Sequence, residues 1–297
     1  MHAVESSRTR SRVLVMGGTG TVGGHLLREL SGDREHMDIV AAARSEASTE
    51  RLRAAGFATR TLDLDRNETL APAMHDIDTV FMLKPYSIDY LIQSKRAIDA
   101  AVKARVRHVV NLGSYGADDT PWASIGWNRL VEAYLRVSGL QHITLRPNFF
   151  MDNVIARADR NSGRIIHYFG ATPVSWVAAA DIARVAAEVL RRPADFAGRV
   201  LPLATEARTM DEIAALVSGK TGRRYTAVHV PANEALPQLL SRGWQEAFAR
   251  PFVDYMDAIA RGRVPDVGGT ARTVEDVTGS PAIGWARFID LNVAHFA

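Results

Sequence analysis

Short apolar runs alternate with stretches in which apolar residues return at helical spacing, and this alternation governs the first half of the chain. Val13-Leu14-Val15-Met16 reads as a first strand. A glycine-rich turn follows, then a helix on which Val22, Leu26, Leu27 and Leu30 share a face. Asp38 to Ala43 reads as a second strand, Ala58 to Leu62 as a third, and Asp78 to Leu83 as a fourth, stopped by Lys84-Pro85. Ile92 to Ala104 is helical, with Ala97, Ile98, Ala101 and Val102 on one side. His108 to Leu112 is a fifth strand closing on Gly113-Ser114-Tyr115-Gly116. Asn128 to Val137 is an amphipathic helix leading to the strand His142 to Arg146, which Pro147 ends. Such alternation predicts an α/β protein with a parallel sheet and right-handed crossovers.

Beyond Phe150 the alternation loosens. Asp181 is expected to cap a helix whose apolar face is Ile182, Val185, Ala186, Val189 and Leu190. A strand over Val200 to Leu203 follows, and Thr209 with Glu212 forms a capping box opening the next helix. Tyr225 to Val230 reads as a strand, and the Leu-, Trp- and Phe-rich stretch from Leu236 to Ile259 as covering helices. No repeat or low-complexity linker separates the halves, so the boundary near Phe150 is one of role more than of independent folding.

The chemistry begins at Gly17-Gly18-Thr19-Gly20-Thr21-Val22-Gly23, between the first strand and its helix. Gly17, Gly20 and Gly23 follow the G-x-x-G-x-x-G variant of the dinucleotide fingerprint. One glycine makes the turn, one lets the backbone approach a pyrophosphate, and one lets helix pack on strand. Amides at the helix start then face the phosphates. A cofactor lacking a 2′-phosphate usually meets a carboxylate at the end of the second strand; here that place holds Ala43, followed by Arg44. A guanidinium forks onto a 2′-phosphate, which a carboxylate would repel, so the expected cofactor is NADP(H).

Composition narrows the picture without adding a site. The chain has 297 residues, 47% hydrophobic and 23% charged, as an ordinary globular protein does. Its net charge is only +3, with basic residues scattered, so no nucleic-acid partner is expected. The absence of cysteine excludes disulfides, thiolate nucleophiles and zinc-thiolate sites, and no metal is expected. Met1 to Ser11 is polar and reads as a disordered tail rather than a signal peptide. No apolar stretch approaches the roughly 18 residues of a membrane span. The expectation is a cytoplasmic protein acting on a small molecule, as monomer or homodimer.

Several segments together resemble one family. They are the Gly17 to Gly24 loop, the Arg44 end of the second strand, Glu132 to Leu140, Leu145-Arg146-Pro147-Asn148-Phe149-Phe150-Met151-Asp152-Asn153 and Val177 to Ala183. The capping-box helix with Gly222-Arg223-Arg224 after it also fits. The chain resembles the NmrA-like branch of the atypical short-chain dehydrogenases, which includes NADPH:quinone-type and ergot-alkaloid imine reductases. The resemblance implies a doubly wound Rossmann domain over residues 12–150. It also implies a small C-terminal α+β substrate region over 151–297, partly built from segments that return to the core. The family contains reductases of C=O, C=C and C=N bonds, and cofactor-binding regulators without turnover.

In a doubly wound sheet the ligand lies beyond the carboxyl ends of the strands. That rule sets Asp63 and Leu64 beside the adenine, although Asp63 reads equally as a turn aspartate. Leu83, Lys84 and Pro85 would lie along the nicotinamide ribose, Ser114 beside the nicotinamide, and Pro147-Asn148 near its carboxamide. Standard short-chain dehydrogenases place a Tyr and a Lys one helical turn apart. Aligned on Glu132, those places hold Ser124 and Asn128, so neither member is present. Many NmrA-like enzymes keep a Lys or His at the place of Asn128. Lys84, Tyr115, Tyr86, His167 and Tyr168 are the other candidate proton donors. Trp127, Phe149, Phe150 and Met151 are candidate apolar walls, or plain core. Three readings stay open: a hydride-transferring reductase of a small, largely apolar imine, enone, ketone or quinone, in specialised metabolism; an NADP(H) redox sensor; and a non-redox isomerase, dehydratase or cyclase.

Overall fold

The computed structural model describes residues 10–116 and 118–297. Residues 1–9, most of the expected disordered tail, lie outside the described residues. The first half runs β1 (Ser11–Val15), α1 (Thr21–Glu29), β2 (Met37–Ala43), α2 (Glu46–Ala54), β3 (Ala58–Thr61), α3 (Asn67–Met74), β4 (Thr79–Met82), α4 (Tyr90–Lys103), β5 (His108–Leu112), α5 (Ala123–Val137) and β6 (Gln141–Pro147). The second half runs β7 (Phe149–Phe150), α6 (Asp152–Arg157), β8 (Ala158–Asp159), β9 (Arg164–His167), β10 (Val174–Val177), α7 (Ala179–Arg191), β11 (Val200–Leu203), β12 (Glu206–Arg208), α8 (Met210–Thr221), β13 (Thr226–His229), α9 (Ala232–Ser241), α10 (Glu246–Ala260), α11 (Thr273–Thr278) and α12 (Trp285–Leu291).

The main sheet has seven parallel strands in the order β11-β6-β5-β4-β1-β2-β3. The chain reverses direction across the sheet between β1 and β4, which opens a crevice at their carboxyl ends. The inner strands are largely apolar because both faces are covered, whereas the edge strand β3 is polar and partly exposed. Val13 and Val15 point into one core with Leu26, Leu27, Ile182, Val185, Ala186 and Val189, where α1 packs on α7. Leu14 and Met16 point into the other, with Leu70, Met74, Ile98 and Leu135 of α3, α4 and α5. This is the Rossmann-like α/β architecture.

Segments beyond Phe150 return to this body. β11 pairs with β6 as the edge strand, and α7 and α11 cover the first core. The rest builds two three-stranded sheets, β12-β10-β7 and β13-β9-β8, around a third core holding Trp176, Trp285, Tyr225, Met256 and Phe296. Thr209 and Glu212 make the reciprocal capping box that opens α8.

One capping expectation is corrected. α7 begins at Ala179, and its N-cap is Ala178 without a side-chain bond. The Ala179 amide instead donates to Asp152 at 2.9 Å, so the cap comes from another helix. Asp181 lies one turn position inside, fully buried, where its carboxylate accepts from Arg184 at 2.7 Å and from the Ile283 amide at 2.6 Å. It pins the C-terminal segment to α7.

Candidate functional site

The glycine turn is built for close approach. Gly17 has φ +72°, and its carbonyl accepts from the Gly20 amide at 2.9 Å. A Cβ on Gly23 would sit 2.1 Å from the Gly17 carbonyl oxygen, so helix and turn meet here only because residue 23 has no side chain. No side chain caps α1, and its first amides stay available to an anion. Thr21 is exposed at the helix start, while the side chain of Val22 is in the core; the contribution of Val22 and Gly23 is therefore their backbone.

A cleft of about 370 Å³ runs from this turn across the ends of β2 and β3. Of the expected cofactor residues, Gly17, Thr19, Gly20, Arg44, Asp63, Leu64 and Leu83 line it. Arg44 is exposed, and among the described residues it has no carboxylate partner. Ser45 and Ser48, at the start of α2, flank it; Ser45 caps that helix through the Ser48 amide. A cation, two hydroxyls and a helix N-terminus suit the 2′-phosphate of NADP(H). Asp63 accepts from the Asp65 amide at 3.1 Å, the bond of a turn aspartate, while also lining the cleft. Gln93 of α4 lines the cleft as well, donating to Asp65 at 3.0 Å with its side-chain oxygen buried and unpartnered.

The other end of the site holds a buried lysine. Lys84, following β4, is 7% exposed, and its ammonium donates to the Asn111 side chain of β5 at 2.7 Å. Burial pulls its pKa down to about 7, against the weaker upward pull of Glu132. The ammonium also stands 5.2 Å from the ring centre of Tyr90, whose hydroxyl donates to Asn128 at 2.6 Å. Burial drives the Tyr90 phenol pKa upward, which keeps that donor neutral. Asn128 therefore sits beneath Tyr90 on α5, and Lys84 reaches the same region from the neighbouring strand end. Two polar atoms here are buried without a partner, the Asn111 side-chain nitrogen and the Ser114 hydroxyl. Such atoms carry a cost until something bonds them.

Charged side chains fix the loop after β5. Glu132, nearly buried, binds Arg129 at 2.6 Å and Arg146 at 2.5 Å. Arg129 also donates to the carbonyls of Ser114 and Gly116 at 2.9 and 2.8 Å. Tyr115 turns towards the segment at Gly269, and burial beside Asp266 raises its pKa. Pro147 is buried in β6. The Asn148 side chain bonds Ser175 at 2.7 Å and the Val267 carbonyl at 3.0 Å, tying β7 to the same C-terminal segment. The side chain of Ser124 lies outside the described residues.

The expected substrate residues divide. Tyr86 and Trp127 come together at 6.0 Å and both meet Phe248 of α10, at 5.2 and 6.1 Å, forming a half-exposed aromatic mouth linked to Lys84 through Tyr90, whose ring stands 5.5 Å from that of Tyr86. Phe149 packs on Phe169 at 4.7 Å, Phe150 lies against the first core, and Met151 is fully buried in the third. His167 is buried beside His229 at 5.5 Å, and burial holds its pKa near 4. Met151 and His167 are therefore core positions, while Phe149 and Phe150 are partly buried against the cores. Sequence reading missed Ser45, Ser48, Tyr90, Gln93, Asn111 and Phe248. Only Asn111 left a trace, as an amide inside an otherwise apolar strand.

A model of the NmrA-like family matches residues 9–261. The NAD(P)H azoreductase of Xenophilus azovorans is 31% identical over 288 residues, spanning 96% of this chain and 99% of that protein. Among solved structures, the NADPH-dependent quinone oxidoreductase of Escherichia coli complexed with NADPH superposes with a TM-score of 0.81 at 22% identity, over 95% of this chain and 99% of its own. NmrA, a negative transcriptional regulator in complex with NADP, superposes at 0.71 and 15% identity, over 97% and 98%.

Proposed function

The chain belongs to the NmrA-like family, and from that premise we propose that it is an NADPH-dependent oxidoreductase of flat, conjugated electrophiles. The observation that carries this reading is Lys84. It is a buried ammonium held by Asn111 at the carboxyl ends of β4 and β5, beside the Tyr86, Trp127 and Phe248 rings. Reduced nicotinamide, when bound, supplies hydride. The glycine turn and Arg44 hold the two phosphate ends of the dinucleotide, and Leu83 continues the cleft towards Lys84. Hydride delivered to one end of a C=O, C=N, N=N or conjugated C=C bond leaves an electron pair on the other end. Lys84 stands where that anion forms, so its ammonium neutralises the charge and gives up the proton. A pKa near 7 makes it a far better acid than a lysine in water. The aromatic mouth offers faces to a planar acceptor. The azoreductase among its relatives adds azo compounds to the quinones, enones, ketones and imines considered above.

The test is calorimetric titration with NADPH and NADH, followed by absorbance assays of NADPH oxidation with one member of each acceptor class. Tight NADPH binding with oxidation by at least one class is expected. Tight binding with no oxidation would overturn the reading in favour of the regulator-like one, which the absent Tyr and Lys at Ser124 and Asn128 favour.

A further inference from the structure

Gln93, in the first turn of α4, is 5% exposed and lines the cleft that runs from the glycine turn across the ends of β2 and β3. The two ends of its amide differ. The nitrogen donates to the Asp65 carboxylate at 3.0 Å, while the oxygen is buried with no partner among the described residues. A carboxylate accepts and does not donate, so Asp65 must meet the nitrogen, and the oxygen cannot take its place. Asp65 is itself anchored. Its amide donates to Asp63 at 3.1 Å. Arg96, one turn further along α4, stands 3.9 Å from its carboxylate and donates to the Leu64 carbonyl at 3.1 Å. The Gln93 amide is thus held in one orientation. A buried carbonyl without a donor costs stability until something bonds it.

Position along the cleft identifies the donor. A dinucleotide whose pyrophosphate meets the glycine turn and whose 2′-phosphate meets Arg44 carries its base onward, to the wall made by Leu62 and Leu64 after β3 and by Gln93 of α4. The two leucines are buried apolar side chains that suit a flat ring, and Gln93 presents an acceptor. Adenine carries one exocyclic group on its pairing edge, the 6-amino group, and that group donates. Hypoxanthine carries an oxygen at the same place, and that oxygen only accepts.

We infer that the side-chain oxygen of Gln93 accepts a hydrogen bond from the 6-amino group of the cofactor's adenine, so that the cleft selects the base as well as the 2′-phosphate. The inference rests on the NADP(H) reading of the cleft and needs no hydride transfer. A 6-oxo base sets oxygen against oxygen, and Asp65 blocks the turn of the amide that would present its nitrogen instead. Asp65 is therefore a positioning residue, and Gln93 the one that reads the base.

Calorimetric titration of the full chain with NADPH and with its hypoxanthine analogue tests this by binding alone. The native chain should prefer NADPH by roughly 10- to 100-fold, the range for leaving a buried acceptor unbonded. Gln93→Met should bring the two affinities together while still preferring NADPH to NADH, the sign of an intact cleft. Gln93→Asn draws the oxygen back by one methylene and should keep only part of the base preference. Asp65→Ala frees the Gln93 amide to turn over, so it should tighten binding of the hypoxanthine form, an effect that a merely structural tie would not produce. Equal affinity of the native chain for both nucleotides would overturn the assignment. So would a full base preference in Gln93→Met, which would hand the reading of adenine to Asp63, or an Asp65→Ala variant that still rejects hypoxanthine as the native chain does. A chain that tells the bases apart through Gln93 yet oxidises no NADPH would sink the proposed activity and leave this assignment standing. One that oxidises NADPH and binds both nucleotides alike would do the reverse.

Discussion

Replacing Lys84 by methionine separates the cost of burying an ammonium from its use. The lysine is 7% exposed and its pKa falls from 10.5 to about 7, burial being the main cause. At 1.36 kcal/mol for each tenfold change in proton affinity, the charged form carries a penalty of about 5 kcal/mol. The sign follows from linkage. The unfolded chain keeps its proton up to about pH 10.5 and the folded chain only to about 7. Between those values the unfolded state binds more protons, so native stability rises with pH across that window. Below it the whole penalty is present. Methionine removes the penalty, and also the Asn111 bond and the contact with Tyr90, each worth about 1 kcal/mol.

Lys84→Met should therefore be more stable than the native chain by about 2–3 kcal/mol near pH 6 and less stable by about 1 kcal/mol near pH 10, the curves crossing between. Urea unfolding at a series of pH values reads this directly. A difference that stays constant with pH, or a variant weaker than the native chain near pH 6, would refute the claim that Lys84 is a strained buried cation. The same variant should bind NADPH as the native chain does yet lose roughly 10²–10⁴-fold in turnover. Native turnover should fall as pH rises through about 7, where the ammonium gives up its proton. Stability given up at one buried group for activity is a common trade at functional sites.

Two further outcomes concern the cofactor. Arg44→Asp should lose the preference for NADPH, weakening it roughly 10- to 100-fold while leaving NADH little changed, as read by calorimetry; a preference that survives would mean another residue reads the 2′-phosphate. Gly23→Ala places a methyl 2.1 Å from the Gly17 carbonyl, so nucleotide binding should be lost and unfolding should come about 1–3 kcal/mol sooner. Retained NADPH affinity in that variant would show that the turn can move aside.

What could be read from the sequence follows what each element buries. β1, β4 and β5 each carry a buried apolar run because both faces of the sheet are covered there, and their expected positions agree with the structure to within a residue or two at each end. α2 and α3 escaped notice for the opposite reason. α2 buries little more than Thr49 and Leu52, and α3 carries Pro72 inside it, so neither shows a clean apolar stripe. α5 begins at Ala123 rather than Asn128, because Ser124 and Gly126 interrupt the pattern while tertiary packing holds the extra turn. The short strands β7, β9 and β10 depend on partners far along the chain, as with Val174 opposite Arg208, and no local pattern marks them.

The site divides along the same line. The glycine turn was legible because its shape is a backbone matter, and glycine spacing is how a sequence encodes backbone shape. The reactive end was not, because it depends on side chains from separate strands and helices meeting. The sequence shows Asn128 where a lysine is expected on α5; in the structure Tyr90 takes its amide as a hydrogen-bond acceptor and sets a ring under Lys84, which follows β4. On the proposed reading, Lys84 supplies from another element the cation that Asn128 does not. An alignment on Glu132 sees the first event and, being one-dimensional, has no means of seeing the second. The aromatic mouth is the same case, since Phe248 joins Tyr86 and Trp127 from a helix more than a hundred residues later in the chain.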